Sequence, residues 1–208
     1  MFKKVGQRGR RERGPRGVLE KYVEGSERPR TKLGGLFQHP ADMNIVLIGY
    51  RGTGKSSVGK ILAERLGRRL ISTDADVVRR AGLPIPEIVR QSGWERFRDL
   101  ESDVCRDLAG QDGLIIDTGG GAILRPQNVT ALKTHGTLFW LTAEVATIVA
   151  RIGGDNQRPS LTGTKSFTEE VVEVLRERKP IYEAAADHVI GTDGRSLTDI
   201  ADAIRARL

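Results

Sequence analysis

The chain has little cysteine and few aromatic residues. Cys105 is its single cysteine, and 5% of its 208 residues are aromatic. One cysteine excludes a disulfide within the chain and is typical of a reducing compartment, so we expect a cytoplasmic location. No apolar run approaches the ~20 residues of a bilayer-spanning helix, so we expect no membrane association. The longest apolar runs, 45–48 and 137–141, have the length of buried strands.

The net charge of +7 is distributed unevenly along the chain. Residues 1–43 contain eleven Lys and Arg against five Asp and Glu, a net of +6, which leaves +1 for residues 44–208. Gly, Pro and Arg alternate in the N-terminal part without a helix or strand period. Such a segment buries too little apolar surface to offset the entropy of ordering it. We therefore expect a basic, disordered extension over 1–43 and one globular domain over 44–208.

This basic extension has other interpretations. Its charge is also consistent with an arm that binds RNA or a membrane surface. Its glutamates argue against a transit peptide, and it lacks the apolar core of a secretory signal. Met43 directly precedes the first predicted strand, so a start of translation at Met43 is a further interpretation.

Residues 44–208 alternate between short apolar runs and segments with helical spacing. This alternation predicts a three-layer α/β/α domain with a five-stranded parallel sheet. The predicted strands cover 44–49, 70–73, 114–116, 137–141 and 189–190, and the predicted helices cover 55–66, 85–92, 94–109, 127–134, 145–152, 168–178 and 196–208.

The segment Gly49–Ser56 reads GYRGTGKS and matches the phosphate-binding pattern G-x-x-x-x-G-K-S/T. It follows a predicted strand and opens a predicted helix, which is the context that the pattern requires. Glycines let backbone N–H groups turn toward phosphate oxygens, and the helix N-terminus adds its positive end. Lys55 is expected at the β- and γ-phosphates, and Ser56 at Mg²⁺. The predicted nucleotide-binding residues are Gly52, Thr53, Gly54, Lys55, Ser56 and Ser57.

The sequence argues against a switch GTPase. Residues 117–120, which read DTGG, supply the Asp-x-x-Gly motif that such a protein carries after a strand. A GTPase also needs an Asn-Lys-x-Asp motif to bind guanine, and no Asn-Lys pair occurs anywhere in the chain. We therefore expect the bound nucleotide to serve a different reaction.

Two carboxylates, Asp74 and Asp76, follow the second predicted strand. One of them can hold the shell of a Mg²⁺ ion while the other orients or deprotonates an acceptor alcohol. The same pair is equally typical of acidic residues in the first turn of a helix. From these residues alone, both interpretations stand.

Further motifs follow in a specific order. After the Asp pair come FRDLE at 97–101, TGGG at 118–121, RPSL at 158–161 and RERKPIY at 176–182. In this combination the chain, over residues 44–208, resembles the shikimate kinases of the nucleoside monophosphate kinase-like P-loop class. The resemblance implies a P-loop kinase fold with a mobile lid at about 153–167. The Gly-rich, polar composition of 153–166 suits a lid that excludes water, although a passive surface loop has the same composition.

The resemblance implies an ATP-dependent phosphorylation of the 3-hydroxyl of shikimate, with Mg²⁺ as the cofactor. The catalytic residues it implies are Lys55, Asp76 and Arg158, where Asp76 is the base and Arg158 neutralises charge on the transferring phosphoryl group. Ser56 would ligate the metal, with Asp74 in its outer shell.

The resemblance also implies how shikimate and adenine are bound. Arg98 and Arg178 would clamp the carboxylate of shikimate, because planar guanidinium forks suit that group, and Glu101 would position Arg98. Arg151 and Arg195 would flank adenine. Three consecutive glycines would allow a close approach of the backbone to the ring: Gly119, Gly120 and Gly121.

The chain departs from the family pattern at a few positions. Val89 stands where Phe is usual, Trp94 where Glu is usual, Ser160 where Leu is usual, and Asp117 where a small residue is common. These departures bear on shikimate affinity and leave the phosphate loop and the two clamp arginines unchanged. We expect ATP and shikimate as partners, no nucleic acid, and a monomer. The rival interpretations are another small-molecule kinase, such as a gluconate kinase, and a nucleic-acid-binding protein that uses the basic extension.

Overall fold

A computed structural model of the chain describes residues 43–152 and 167–208. The predicted extension 1–43 lies outside the described residues except for Met43. The predicted lid, about 153–167, lies outside them except for Phe167. Along the described residues the elements are β1 Asn44–Ile48, α1 Lys55–Leu66, β2 Leu70–Ser72, α2 Thr73–Ala81, α3 Ile85–Ala109, β3 Ile115–Asp117, a 3₁₀ turn Ala122–Leu124, α4 Pro126–Thr134, β4 Gly136–Thr142, α5 Val145–Ile152, α6 Phe167–Ala185, β5 His188–Gly191 and α7 Leu197–Arg205.

The five strands form one parallel sheet in the order β2-β3-β1-β4-β5. After β1 the chain crosses to β2 at one edge of the sheet, whereas after β3 it crosses in the other direction to β4, on the far side of β1. The loops after β1 and β3 therefore diverge next to each other at the carboxyl edge of the sheet. Open parallel sheets bind their ligands at such a point. The predicted five-stranded parallel sheet is confirmed.

Helices cover both faces of this sheet. Val46 and Ile48 of β1 pack in a core with α2, α3, α4 and α6, whereas Ile45 and Leu47 pack in a second core with α1 and α7. All four side chains are fully buried, which explains why β1 is a continuous apolar run rather than an alternating one. The three-layer α/β/α architecture is thereby confirmed.

The predicted end of helix 168–178 is wrong. α6 continues to Ala185 with Pro180 inside it, although an internal proline removes a backbone hydrogen bond and disfavours a helix. The residues beyond Pro180 are held by packing, because Tyr182 and Ala185 are almost completely buried. The ring of Tyr182 also stacks on Trp140 of β4 at a centroid distance of 5.5 Å. Tertiary contacts thus outweigh the local effect of proline.

The residues after β2 form a helix, α2, with Asp74 and Asp76 in its first turn. Ser72 caps this helix, and its hydroxyl accepts a hydrogen bond from the Ala75 N–H at 3.3 Å. The two predicted helices 85–92 and 94–109 are the halves of α3, which meet at Gly93 with φ 77°. Among the described helices, none combines the length and the apolar character needed to cross a membrane.

Candidate active site

The loop between β1 and α1 requires glycine at both of its ends, Gly49 and Gly54. A side chain at residue 49 would begin 2.5 Å from the Leu141 carbonyl oxygen. Gly54, the N-cap of α1, has the left-handed conformation φ 93°, ψ 8°. The N–H groups in the first turn of α1 have no helical partner, so this end of the helix favours an anion.

Lys55 is folded back over the same loop. Its ammonium group donates hydrogen bonds to the carbonyl oxygens of Gly49 at 2.9 Å and Tyr50 at 3.0 Å. The residue is 8% exposed, so its charge is concentrated inside the loop rather than in bulk solvent. The phosphate loop thus combines a buried cation with the positive end of a helix.

A cavity of about 880 Å³ opens at this loop, within the usual volume of small-molecule sites. It collects all the predicted nucleotide residues that the structure describes, together with Asp74 and Gly120. Arg158, which is also predicted to bind ATP, lies outside the described residues. The lining residues are Arg51, Gly52, Thr53, Gly54, Lys55, Ser56, Ser57, Ser72, Asp74, Asp117, Thr118, Gly120, Arg151, Arg195, Ser196, Leu197 and Ile200.

The two arginines predicted to flank adenine, Arg151 and Arg195, both line the cavity. Arg151 donates to the Gly52 carbonyl at 3.1 Å and Arg195 to the Asp199 carbonyl at 2.9 Å, so both side chains are anchored. Leu197 lines the same cavity and is 43% exposed. Leu197 is not among the predicted site residues, although an apolar residue in the first turn of α7, close to the predicted Arg195, is a signal for one.

Oxygen ligands for a metal line the same cavity as the phosphate loop. The Ser56 hydroxyl donates a hydrogen bond to Asp117 Oδ2 at 2.5 Å, and Asp74 lines the same cavity. Mg²⁺ is bound by one or two carboxylates with phosphates and waters, so this donor set fits that ion. Within residues 43–152 and 167–208, no group of three or more His, Cys, Asp and Glu could form an all-protein metal cage.

The Arg98 guanidinium is held beside the cavity by a buried carboxylate. It donates to Glu101 Oε2 at 2.5 Å, and the Glu101 residue is fully buried. The rings of Trp94 and Phe97 lie 5.6 and 5.1 Å from the guanidinium carbon. The predicted pairing of Arg98 with Glu101 is therefore present, and Trp94, a departure from the family pattern, packs against this arginine.

Arg178, the second arginine predicted to clamp the carboxylate, contacts the same glycines. Arg178 donates to the Gly120 carbonyl at 3.1 Å, and the Tyr182 hydroxyl donates to it at 2.6 Å. A side chain at Gly121 would collide with the Arg98 guanidinium, and one at Gly119 would begin 2.5 Å from Asp74 Oδ1. Residues 119–121 are thus the point where Arg98, Arg178 and Asp74 converge.

Asp76, the predicted base, has a different set of partners. Its Oδ1 accepts from Arg79 Nε at 2.8 Å and its Oδ2 from Arg80 Nε at 2.9 Å. Arg80 is itself anchored by Asp107 at 2.6 Å. Burial alone would raise the pKa of Asp76, but the hydrogen bonds from both arginines outweigh that effect and lower the pKa. The structure therefore pairs the predicted base with two cations of its own helix, rather than with Arg98 or Arg178.

The parallel sheet and the phosphate loop at the carboxyl end of β1 define a P-loop kinase fold. A sequence model described as shikimate kinase matches residues 51–208. The chain belongs to the shikimate kinase family.

Relatives and solved structures agree with this assignment. The shikimate kinase of Nitratidesulfovibrio vulgaris is 45% identical over 152 residues, 72% of this chain and 86% of that protein. That of Geobacter sulfurreducens is 42% identical, over 79% and 91% of the two chains. The structure of shikimate kinase from Acinetobacter baumannii in complex with shikimate matches with a TM-score of 0.75 and 33% identity, over 79% of this chain and 92% of that one.

Proposed function

We propose that the protein transfers the γ-phosphoryl group of ATP to the 3-hydroxyl of shikimate, giving ADP and shikimate 3-phosphate for chorismate and aromatic amino acid synthesis. The observation that carries this proposal is the convergence of Arg98 and Arg178 on residues 119–121, beside the phosphate loop. An anionic polyol needs guanidinium forks for its carboxylate. The relatives named shikimate kinase and the shikimate-bound neighbour support this substrate.

The nucleotide is held by the loop 49–56, with its phosphates over the N-terminus of α1. Lys55 leaves its carbonyl partners to contact the β- and γ-phosphates, while Ser56 and Asp74 would hold Mg²⁺. A bound Mg²⁺ supplies neutralisation of charge on the phosphate oxygens. Arg151 and Arg195 flank adenine.

Arg98 and Arg178 bind the carboxylate of shikimate, and Glu101 keeps Arg98 in place. Gly119–Gly121 let the backbone approach the ring. Asp76 binds the ring hydroxyls and accepts the proton of the 3-hydroxyl, which requires it to exchange part of its pairing with Arg79 and Arg80 for the substrate.

The lid over about 153–167 carries Arg158, which neutralises charge on the transferring group. Its closure excludes water, so that ATP is not hydrolysed. A monomer in the cytoplasm, without nucleic acid or membrane partners, remains our prediction.

An ADP-release assay with a panel of hydroxy acids tests the substrate. We expect Mg²⁺-dependent ADP release with shikimate and none above background with gluconate. A rate with another acid and none with shikimate would contradict the proposed substrate.

Variants test the residue roles. Lys55→Met, Asp76→Asn and Arg98→Ala are each expected to lower turnover by at least ~10²-fold, the effect of losing one group that stabilises or activates the transition state. Arg106→Ala is the matched control, because Arg106 lies on the same helix as Arg98 and its side chain is 69% exposed. Near-normal turnover of Asp76→Asn would overturn its assignment as the base.

A further inference from the structure

We propose that Arg51 is a further substrate-binding residue of the active site, whose guanidinium group binds the γ-phosphoryl group of ATP. This inference rests on the proposed phosphoryl transfer and adds a residue to which the family resemblance gives no role. Arg51 occupies one of the variable positions of the motif G-x-x-x-x-G-K-S/T, so the motif does not assign it either. Its role follows from the contacts of its side chain and from its place in the cavity.

Arg51 lies where the phosphate loop meets the glycines assigned to shikimate. A side chain at Gly120 would begin 3.5 Å from the backbone nitrogen of Arg51. The Gly120 carbonyl oxygen also accepts the hydrogen bond from Arg178, and Arg51 and Lys55 line the same cavity. Arg51 is therefore placed between the residues assigned to the nucleotide and those assigned to shikimate, where the γ-phosphoryl group is transferred.

Two aromatic rings and a buried carboxylate surround the guanidinium group of Arg51. Its central carbon lies 5.4 Å from the ring centroid of Phe167 and 5.8 Å from that of Tyr50, distances at which the face of a ring attracts a cation. Glu170, in the first turn of α6, is 2% exposed and has an oxygen 3.9 Å from Arg51 Nη2. These contacts hold a positive charge at the cavity before any ligand binds.

These contacts do not satisfy the hydrogen-bond donors of Arg51. The 3.9 Å separation from Glu170 is too long for a hydrogen bond. Arg51 Nε is buried and has no hydrogen-bond partner within residues 43–152 and 167–208. Because a buried donor without an acceptor costs free energy, a ligand that supplies an acceptor is favoured. Phosphate oxygens are the acceptors that a guanidinium fork matches best, together with those of a carboxylate.

The two nucleotides of the reaction distinguish a phosphate-binding role from a purely structural one. ADP ends at its β-phosphate, so a residue that binds the γ-phosphoryl group contributes to the affinity for ATP but not to the affinity for ADP. If Arg51 only linked the phosphate loop to α6, its replacement would weaken the binding of both nucleotides equally. The ratio of the two affinities is therefore the diagnostic quantity.

The test is calorimetric titration of the full chain in MgCl₂ with ADP and separately with β,γ-imido-ATP, an analogue that is not hydrolysed. Arg51→Met keeps the apolar stem but removes the charge and the donors. We expect the affinity for the analogue to fall by about 10- to 100-fold, the range for hydrogen bonds to a charged group, while the affinity for ADP changes little. Arg65→Met, at an exposed position of α1 that pairs with Asp202, is the control and should bind both nucleotides as the parent chain does.

Glu170→Gln gives a second readout with the opposite sign. In the proposed role, the loss of this charge releases Arg51 toward the phosphate, so the ratio of analogue affinity to ADP affinity is kept or rises. In a purely structural pair, Glu170→Gln and Arg51→Met would have the same effect. A ratio that falls in Glu170→Gln as it does in Arg51→Met would show that the inference is wrong.

Further arms separate the possible failures. Arg51→Lys keeps the charge without the fork, so it should lower the ratio by less than Arg51→Met, and it replaces that variant if thermal unfolding shows that Arg51→Met does not fold. A folded Arg51 variant that loses affinity equally for both nucleotides, or for neither, contradicts the inference while the proposed function stands. If the parent chain binds neither nucleotide, the proposed nucleotide site itself is wrong, and the role of Arg51 with it.

Discussion

The guanidinium group of Arg98 occupies the space that a side chain at Gly121 would need. Arg98 is only 12% exposed on its side chain and is paired with Glu101, so it has little freedom to move away. Gly121 itself has an ordinary φ of −114°. The requirement for glycine at this position is therefore one of space, set by the arginine, and not one of backbone conformation.

Gly121→Ala is expected to displace Arg98 and raise the KM for shikimate by about tenfold or more, which corresponds to a loss of ~1.4 kcal/mol. ADP affinity should change little. Gly110→Ala is the matched control, since its φ is −83° and its nearest neighbour lies at 3.7 Å. Steady-state kinetics checks both, and an unchanged shikimate KM in Gly121→Ala would contradict the role given to Arg98.

Arg178→Lys is expected to raise the KM for shikimate while kcat changes much less. A lysine keeps the positive charge but cannot form the bidentate fork with a carboxylate. Arg176→Lys, an exposed position on the same helix, should leave both constants as they are. Equal effects of the two substitutions on KM and kcat would contradict the proposal that Arg178 binds the carboxylate of shikimate.

The lowered pKa of Asp76 predicts where kcat/KM falls on the acidic side of its pH profile. Burial acts to raise the pKa of Asp76, yet the hydrogen bonds from Arg79 and Arg80 outweigh it and hold the pKa below the ordinary value of 3.8. It therefore stays ionised to a lower pH than an ordinary aspartate, and activity that needs the carboxylate is lost only as the pH falls through that lowered pKa.

Arg80→Gln removes one of these hydrogen bonds and should move the acidic limb of kcat/KM to higher pH. The same substitution should remove stability that the native pair contributes above the unfolded-state pKa, so acid unfolding should begin at higher pH. Arg106→Gln, which breaks an exposed pair with Asp103, serves as the control. If the acidic limb of kcat/KM does not move in Arg80→Gln, the role of Asp76 as the base is contradicted.

Cys105 is expected to be inert in the folded protein. Burial raises the pKa of its thiol to about 12, and the nearby charges of Glu101 and Asp74 add to the effect. The thiolate is the reactive form of cysteine. An aromatic disulfide reagent at pH 8 should therefore label Cys105 in the native chain only as fast as the protein unfolds around it. In guanidinium chloride, one thiol per chain should react at once. Rapid stoichiometric labelling of the native chain would show that the α3 core is open.

Local patterns were sufficient for much of the fold and for the nucleotide half of the site. The helix 55–66 and the phosphate loop were predicted residue by residue, because the loop's chemistry is carried by consecutive residues whose spacing is itself the signal. The end of α6 was not predicted correctly. The packing of Tyr182 against Trp140, which are distant in the chain, outweighs the effect of Pro180 on the helix. The predicted lid and Arg158 lie outside the described residues and stay predictions.

The amino-acid sequence by itself determined that the chain binds a nucleotide phosphate and folds as an alternating α/β domain, because periodicity and contiguous motifs are local properties. Only the tertiary structure decided which distant residues meet. It brought Asp117 to the Ser56 hydroxyl and Arg98 into the space above Gly121, and it paired Asp76 with Arg79 and Arg80. The physical reason is that strand order and helix packing set these distances, and neither follows from the spacing of residues along the chain.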